Sequence, residues 1–286
     1  MRYLLLSLSF AALSCTGSGK LGIDDADADT DSDADTDTDS DADNDSLLSI
    51  NVEGSLDDRT PQDGFSAQTP EPYYYGLQRF EMLESKDDTE PTVVFDYAPD
   101  FVYVNMHDTN EVAVVEQKDL EDGTYTHFRL VLTHVQVKVD ATIRNVPFIG
   151  NYPTKITMMM ALSDFESKDF GTMTQGQGFS SCIVGPDEMV FPFDGDLEYP
   201  EPGPFAWAES IDGETWVTFT LAEPVVVSPT STDQAYVMRF YIYEGFRWEE
   251  QDLATYVDGV WDIPADGDPE PVMRFGANAY EVDIVE

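Results

Sequence analysis

Histidine and cysteine, the side chains that most often act as nucleophiles, bases or metal ligands, are scarce in this chain. The three histidines are His107, His127 and His134. A continuous strand would hold His127 and His134 about 23 Å apart at ~3.3 Å per residue, so they cannot share one metal ion. His107 lies just past a candidate strand and could join either only through tertiary contact. We therefore interpret all three as ordinary strand or surface residues.

The two cysteines are Cys15 and Cys182. Cys182 has no histidine near it in the sequence, and we expect a small core residue rather than a nucleophile. The chain contains no Gly-x-Ser-x-Gly elbow, Cys-x-x-Cys pair or His-Glu-x-x-His motif. These observations predict no catalytic residues, no cofactor and no metal site.

Carboxylates are abundant, and the densest group is Asp24 to Asp45, a 22-residue run with 12 Asp alternating with small residues. The alternation is similar to the start of an EF-hand loop, but the run lacks the Gly and Glu that such a loop requires. Without large apolar residues the run cannot form a core, and it is predicted to be a disordered spacer. Fully extended, residues 16–46 would reach ~100 Å.

Two shorter acidic motifs, Asp194-Gly195-Asp196 and Asp266-Gly267-Asp268, have the composition of turns. We interpret them first as turns and second as loop ligands for calcium.

Aromatic residues offer a different chemistry, the stacking of a ligand on exposed rings. Tyr73, Tyr74 and Tyr75 follow Pro72 in a predicted loop and are the best candidate for an exposed ligand-contact patch. The remaining large aromatics could line a carbohydrate platform, but in a β-sandwich of this size most tryptophans fill the core. They are Trp207, Trp216, Phe246, Trp248 and Trp261.

Composition limits the partners of this chain. It has 57 acidic and 14 basic residues among 286, for a formal net charge of -43, and 42% of its residues are hydrophobic. Residues 46–286 alone carry 45 acidic and 12 basic residues. Such a charge repels phosphate backbones and anionic lipid, so no nucleic-acid partner is expected. The apolar fraction is high enough for a sizeable core.

The N-terminus has the pattern of an export signal. Arg2 precedes an apolar stretch from Tyr3 to Leu13, too short to span a bilayer, and Ala12-Leu13-Ser14-Cys15 ends it. The segment resembles the bacterial lipoprotein signal, which implies that residues 1–15 are a signal peptide and that Cys15 is the lipidated residue. In that family the acyl chains would anchor the protein to a membrane. The following residue is Thr16 rather than Asp, which in the enterobacterial pattern implies the outer membrane; an ordinary secreted protein is the alternative.

Beyond this signal, the sequence predicts a disordered Asp-rich linker at residues 16–46 and an all-β domain at residues 47–286. Asp-rich spacers after the lipidated cysteine resemble those of predicted bacterial surface lipoproteins. Within the domain, short runs of Val, Phe, Tyr and Thr between turn residues predict strands. They are 47–53, 77–84, 91–97, 101–105, 111–117, 124–139, 154–162, 187–193, 215–227, 235–244, 271–275 and 279–285. Only Glu249 to Val257 has a helical composition. Segment 164–206 is rich in Gly and Pro and is predicted to be an irregular excursion or a boundary between two packed β modules.

One predicted strand changes phase. Its apolar residues occupy even positions through Leu132 and odd positions from Val135, so the alternation flips near Thr133-His134. A flip requires a bulge or a strand that bends between sheets, which favours a β-sandwich. The motif Gly123-Thr124-Tyr125 leading into Phe128-Arg129-Leu130 resembles the strand of uncharacterised, prealbumin-like β-sandwich domains of bacterial surface proteins. The resemblance covers residues 77–145 and implies a fold but no activity.

Three classes of function fit these features. The first is a lipid-anchored surface protein of the cell envelope whose non-catalytic β-sandwich recognises an envelope protein or glycan. The second is an extracytoplasmic hydrolase using carboxylates or a loop calcium. The third is a structural envelope protein whose acidic surface provides hydration and repulsion. A cleft lined by carboxylates would favour the enzyme, and a shallow aromatic surface would favour binding.

Overall fold

The computed structural model describes residues 46–285 apart from residues 169, 185–186, 195–202, 253–255 and 266–267. This part of the chain contains strands and loops, with one short 3-10 helix at Gln117–Asp119 and no α-helix. It therefore has no helix long and apolar enough to cross a membrane. The strands are β1 (Leu47–Ser55), β2 (Ser66–Gln68), β3 (Tyr73–Leu83), β4 (Thr92–Asp96), β5 (Val102–Asn105), β6 (Thr109–Glu116), β7 (Gly123–Val146), β8 (Gly150–Ala161), β9 (Phe165–Ser167), β10 (Gly171–Met173), β11 (Gln177–Val184), β12 (Asp187–Asp194), β13 (Ala206–Ile211), β14 (Glu214–Val227), β15 (Gln234–Tyr241), β16 (Phe246–Trp248), β17 (Trp261–Pro264), β18 (Val272–Phe275) and β19 (Ala279–Ile284).

The predicted all-β fold is confirmed, and each of the twelve predicted strands overlaps an observed one. The helical expectation for Glu249 to Val257 is wrong for its described residues, 249–252 and 256–257, which form a loop. The backbone N–H of Glu249 donates to the Pro271 carbonyl at 3.0 Å. The N–H of Gln251 donates to the Glu270 carboxylate at 2.9 Å. Tertiary partners thus replace the hydrogen bonds that a helix would have supplied.

The largest sheet has ten strands and is built around β7, whose 24 residues cross it from end to end. On one edge β7 pairs first with β14 and then, from His134 onward, with β8. On the other edge it pairs with β3 and then with β17. Register along β3 places Gly76 opposite His134 and Leu77 opposite Leu132, so Thr133 is an extra residue. The predicted phase flip is therefore a β-bulge, located where β7 exchanges one partner for the next.

A second sheet, in the order β19-β15-β1-β6, packs on the ten-stranded sheet and closes the predicted sandwich. Alternate residues of β15 face inward, so Tyr236, Met238 and Phe240 are buried while Arg239 lies on the outer side. Rings from the two sheets meet in the core: the Phe128 and Tyr236 centroids are 5.0 Å apart. Burial of these large aromatic surfaces is the main force holding the sheets together.

The described residues of segment 164–206 do not form an irregular excursion. They include four strands, β9 to β12, of which β11 pairs with β8 and β12 with β11, so both belong to the large sheet. Gly171 begins β10 and Gly176 precedes β11, and they adopt φ of 70° and 84°. Pro192 lies in β12, the edge strand, where a missing N–H is tolerated. Gly and Pro are thus compatible with regular strands in this part of the chain.

Candidate functional site

The three consecutive tyrosines do not form an exposed patch, and the prediction that they lie in a loop is wrong. They begin β3, and Tyr73 and Tyr75 are 0% and 2% exposed. Their hydroxyls are 3.3 Å apart, and the Ala277 N–H donates to the Tyr75 hydroxyl at 3.0 Å. Burial raises the pKa of both phenols. Tyr74, on the opposite side of the strand, is half-buried against Tyr103. The run is a strand that contributes two side chains to the core.

The histidines are spread over separate parts of the fold. The His107 ring nitrogen Nε2 bonds to the Pro70 carbonyl at 2.9 Å, which fixes a loop. His127 lies on the outer face of the large sheet, and His134 is fully buried. Cys182 is buried in the core, and this burial raises its thiol pKa. Within the described part of the chain, no three His, Cys, Asp or Glu side chains are grouped so as to hold a metal ion.

His134 lies inside a cluster of aromatic rings. Its ring centroid is 4.7 Å from that of Phe101, 5.5 Å from Phe165 and 5.3 Å from Phe170. Nδ1 bonds to the Thr133 hydroxyl at 2.9 Å. Nε2 is buried without a hydrogen-bond partner. Because burial disfavours the charged form, the pKa of His134 is lowered to about 4. The imidazole is therefore neutral at physiological pH.

Gly76 makes room for this histidine. A Cβ added at Gly76 would lie 2.4 Å from the His134 Nδ1 atom and 2.2 Å from the Thr133 hydroxyl. The bulge on β7 turns both of these side chains toward β3. Only glycine fits on the opposing strand.

Two buried carboxylates, Asp262 and Glu270, hold the loop that precedes β17. Asp262 accepts hydrogen bonds from Arg144 Nε and from the Val257 N–H, each at 2.7 Å. Glu270 accepts from the N–H groups of Gln251 and Asp262 at 2.9 and 2.8 Å. Burial raises the pKa of Glu270. Since all four carboxylate oxygens bond to the protein itself, these residues stabilise the loop.

The two acidic turn motifs fall mostly outside the described residues. Asp196 and Asp266 lie in undescribed segments, and the side chain of Asp194 is likewise not described. Asp268 is exposed. Their assignment as turns or calcium ligands stays a prediction.

The four tryptophans divide into two pairs. Trp248 and Trp261 are buried in the core beside Phe246. Trp207 on β13 and Trp216 on β14 are half-buried and lie on the outer side of the large sheet, because their neighbours Ala206 and Val217 face the core. We call the surface formed by Trp207, Trp216, Glu209, Glu214 and Arg129 the indole face.

A tight hairpin brings the two rings together. Asp212 and Gly213 join β13 to β14 with φ of 52° and 84°, the left-handed pair of a type I′ turn. The register places Trp207 opposite Thr218 and Trp216 opposite Glu209. The tryptophans are thus diagonal neighbours on adjacent strands, with Cα atoms ~7–8 Å apart.

Each indole is fixed in orientation by a glutamate two residues away on the same strand face. The Trp207 Nε1–H donates to Glu209 Oε1 at 2.9 Å, and the Trp216 Nε1–H donates to Glu214 Oε2 at 2.9 Å. The guanidinium carbon of Arg129 lies 3.9 Å from the Trp216 ring centroid. Arg129 is itself buried, so it supports the ring from the side of the sheet.

An ion-pair network supports the indole face. Glu81 accepts hydrogen bonds from Arg79 Nε at 2.6 Å and from Arg129 Nε. Arg79 also forms a two-pronged bond to Glu214, at 3.2 and 2.6 Å. Although burial alone raises the pKa of Glu214, hydrogen bonds from Arg79 and Trp216 outweigh it, and the net shift is downward. The carboxylate that orients Trp216 is thereby kept ionised.

The rim of the indole face carries Lys86, His127 and Phe205. Lys86 Nζ lies 4.7 Å from the Trp207 ring centroid, and the His127 ring meets the same indole at 6.2 Å. Burial, together with the nearby Lys86 charge, lowers the pKa of His127. Phe205 is 62% exposed and immediately precedes β13, and its carbonyl accepts a hydrogen bond from the Thr220 N–H at 2.6 Å. This bond continues the pairing of β13 with β14, and alternation would place Phe205 on the side of Trp207. The face thus combines two half-buried indoles and an exposed phenylalanine with polar groups held by hydrogen bonds.

No known protein family matches this chain, and neither a curated protein nor a solved structure is measurably similar to it.

Proposed function

We propose that this chain is a lipid-anchored surface protein of a bacterial cell envelope, held at the outer membrane by Cys15, whose β-sandwich is a non-catalytic binding domain. The observation that carries the binding role is the indole face. Two large rings are held in fixed orientations on the outside of the sheet, although the same chain buries its other two tryptophans. Rings held in this way lose little conformational entropy when a ligand binds.

The polar groups of the indole face and of its supporting network favour binding rather than catalysis. Arg129 donates to Glu81, and Arg79 donates to both Glu81 and Glu214. Glu209 is committed to the Trp207 indole. A general acid or a nucleophile needs a side chain that is available to the reacting atom. Here the charged groups orient the rings.

The anchor and the spacer complete the proposal. An Asp-rich linker that reaches ~100 Å at full extension would let the sandwich contact material beyond the membrane surface. The net negative charge of the domain would keep neighbouring copies apart.

The anchor is tested by replacing Cys15 with alanine. Without the cysteine no acyl chain can be attached, so the protein should move from the membrane fraction into the soluble extracytoplasmic fraction. Metabolic labelling with a fatty-acid analogue should mark the wild type only. A wild-type chain that takes up no label would refute the lipoprotein assignment.

The binding role is tested with Trp207→Ala in the full-length protein. Cell-envelope material retained by the wild type should be lost by this variant, because the half-buried indole is removed from the outer side of the sheet while the core is untouched. Phe148→Ala is the matched control, since Phe148 is a fully exposed aromatic at the turn after β7. Equal retention by wild type, Trp207→Ala and the control would contradict a binding role for the indole face.

A further inference from the structure

We infer that the indole face binds an uncharged polysaccharide, with sugar rings stacked on Trp207 and Trp216. This rests on the proposed function and specifies its ligand. The inference follows from the shape of the face, its charge balance, and the positions that the protein's own cations already occupy.

The shape favours a flat ligand with an apolar surface. Trp207 and Trp216 are half-buried, and each has its Nε1–H bonded to a glutamate, so the accessible part of each indole offers no free N–H donor to a ligand. Phe205, which immediately precedes β13, adds a further exposed aromatic ring. A pyranose ring has a face of C–H groups that packs against an aromatic ring, and its hydroxyls project around the edge.

The charge balance disfavours a polyanion. Residues 46–286 carry 45 acidic and 12 basic residues, so the surrounding field repels negative charge. Arg129 of the face is paired with Glu81, and Arg79 of the supporting network is paired with Glu81 and Glu214, so neither arginine provides an unpaired basic patch. An acidic glycan or a phosphate-rich polymer would therefore be rejected.

A cationic ligand is disfavoured for a different reason. Arg129 already makes a cation–π contact with Trp216, at 3.9 Å from the ring centroid. Lys86 makes one with Trp207, at 4.7 Å. An ammonium ligand would have to compete with a charge that the protein supplies itself.

A wholly apolar partner is disfavoured by the two glutamates of the indole face, Glu209 and Glu214. Covering the carboxylates of Glu209 and Glu214 with hydrocarbon would remove water from their oxygens without replacing its hydrogen bonds. Sugar hydroxyls can replace that water, above all at Glu209, whose Oε1 accepts from the Trp207 indole, because a carboxylate has about four acceptor positions. Alternating ring faces and hydroxyls match alternating indoles and carboxylates, and an uncharged polysaccharide has both.

The test is affinity electrophoresis of the full-length protein, kept soluble by a detergent without sugar. Gels contain one soluble polysaccharide each: laminarin, xyloglucan or galactomannan as uncharged probes, and alginate as an anionic one. We expect retardation by at least one uncharged probe and none by alginate. Trp207→Ala and Trp216→Ala should each weaken binding roughly tenfold or more, and Trp207→Phe should retain part of it. Phe148→Ala should bind as the wild type does.

Thermal unfolding of each variant distinguishes a loss of binding from a loss of folding. Trp207→Ala is the more informative variant, because it leaves the contact between Arg129 and Trp216 intact. Retardation by alginate alone, by none of the uncharged probes, or to the same extent after Trp207→Ala would overturn the inference. If Trp207→Ala still abolishes capture of envelope material while no uncharged probe binds, the proposed binding role stands and the assignment of a glycan fails.

Discussion

Replacing Asp262 with alanine should lower the free energy of unfolding by about 3–5 kcal/mol, the range for removing one partner of a buried ion pair. The Asp262 side chain is 0% exposed and pairs with the guanidinium of Arg144, itself buried on β7. Alanine would leave that charge without a partner and free the Val257 N–H as well. Urea unfolding of the full-length protein, with the midpoint and the slope compared, measures the loss.

The matched control is Asp140→Ala. Asp140 lies on β7, as Arg144 does, and forms an exposed ion pair with Lys155 on β8. These side chains are 75% and 55% exposed, and their charged atoms are 3.3 Å apart. Water screens such a pair, so the loss should stay below about 1 kcal/mol. Equal losses in the two variants would mean that burial does not distinguish them and that Asp262 does not hold the loop before β17.

Twelve of the nineteen strands in the described residues were predictable from the sequence, because alternation along the chain is a local property. The sequence alone predicts which side chains of β15 face inward and where the alternation flips near Thr133. Neither prediction requires knowledge of the neighbouring strands. The pairing of these strands was not predictable. β17 runs parallel to β7 far along the chain, and nothing within its four residues indicates this. The Arg144–Asp262 pair, which depends on that contact, was therefore beyond sequence analysis.

The error at Tyr73 to Tyr75 has a specific cause. Pro72 before three tyrosines predicts a loop with an exposed contact patch, but proline is also tolerated just before a strand. Tyr73 and Tyr75 lie two residues apart and so share a face, and their hydroxyls bond to each other within the core. A tyrosine can be buried whenever its hydroxyl has such a partner.

The sequence contains only a partial signal for the indole face. Trp207 and Trp216 each have a glutamate two positions away, at Glu209 and Glu214, and alternate residues of a strand share a face. The buried Trp248 also has a glutamate two positions away, Glu250, but that residue lies beyond the end of β16. The spacing therefore indicates the outer side only once the ends of the strands are known.

The stabilising contacts and the proposed binding surface lie in different parts of this fold. The aromatic core and the Arg144–Asp262 pair hold the sheets and loops. The indole face lies outside the core, on β13 and β14, and its rings are oriented by groups that contact one another. Substitution of Trp207 should therefore change binding with little change in stability. A loss of binding in a Trp207 variant can therefore be distinguished from a loss of folding.

Lowering the pH from 7 to 4 should destabilise the wild type by about 3 kcal/mol more than a His134→Phe variant. The pKa of His134 is lowered from 6.5 to about 4 in the folded protein by burial. Between these values the unfolded chain binds a proton that the folded chain does not, so acid favours unfolding. The stability associated with the neutral ring is complete above pH 6.5 and is lost as the pH falls toward 4.

Phenylalanine is the appropriate replacement because the neighbours of His134 are the rings of Phe101, Tyr103, Phe165 and Phe170. It keeps the aromatic packing and removes both the titrating group and the Nε2 atom that has no hydrogen-bond partner. Carboxylates with lowered pKa values, such as Glu53 and Glu214, also lose stabilisation in acid, but they do so in both proteins. The difference between the two urea-unfolding series therefore isolates His134. If that difference stays constant from pH 7 to 4, the imidazole is solvated in the folded state and the aromatic cluster does not exclude water from it.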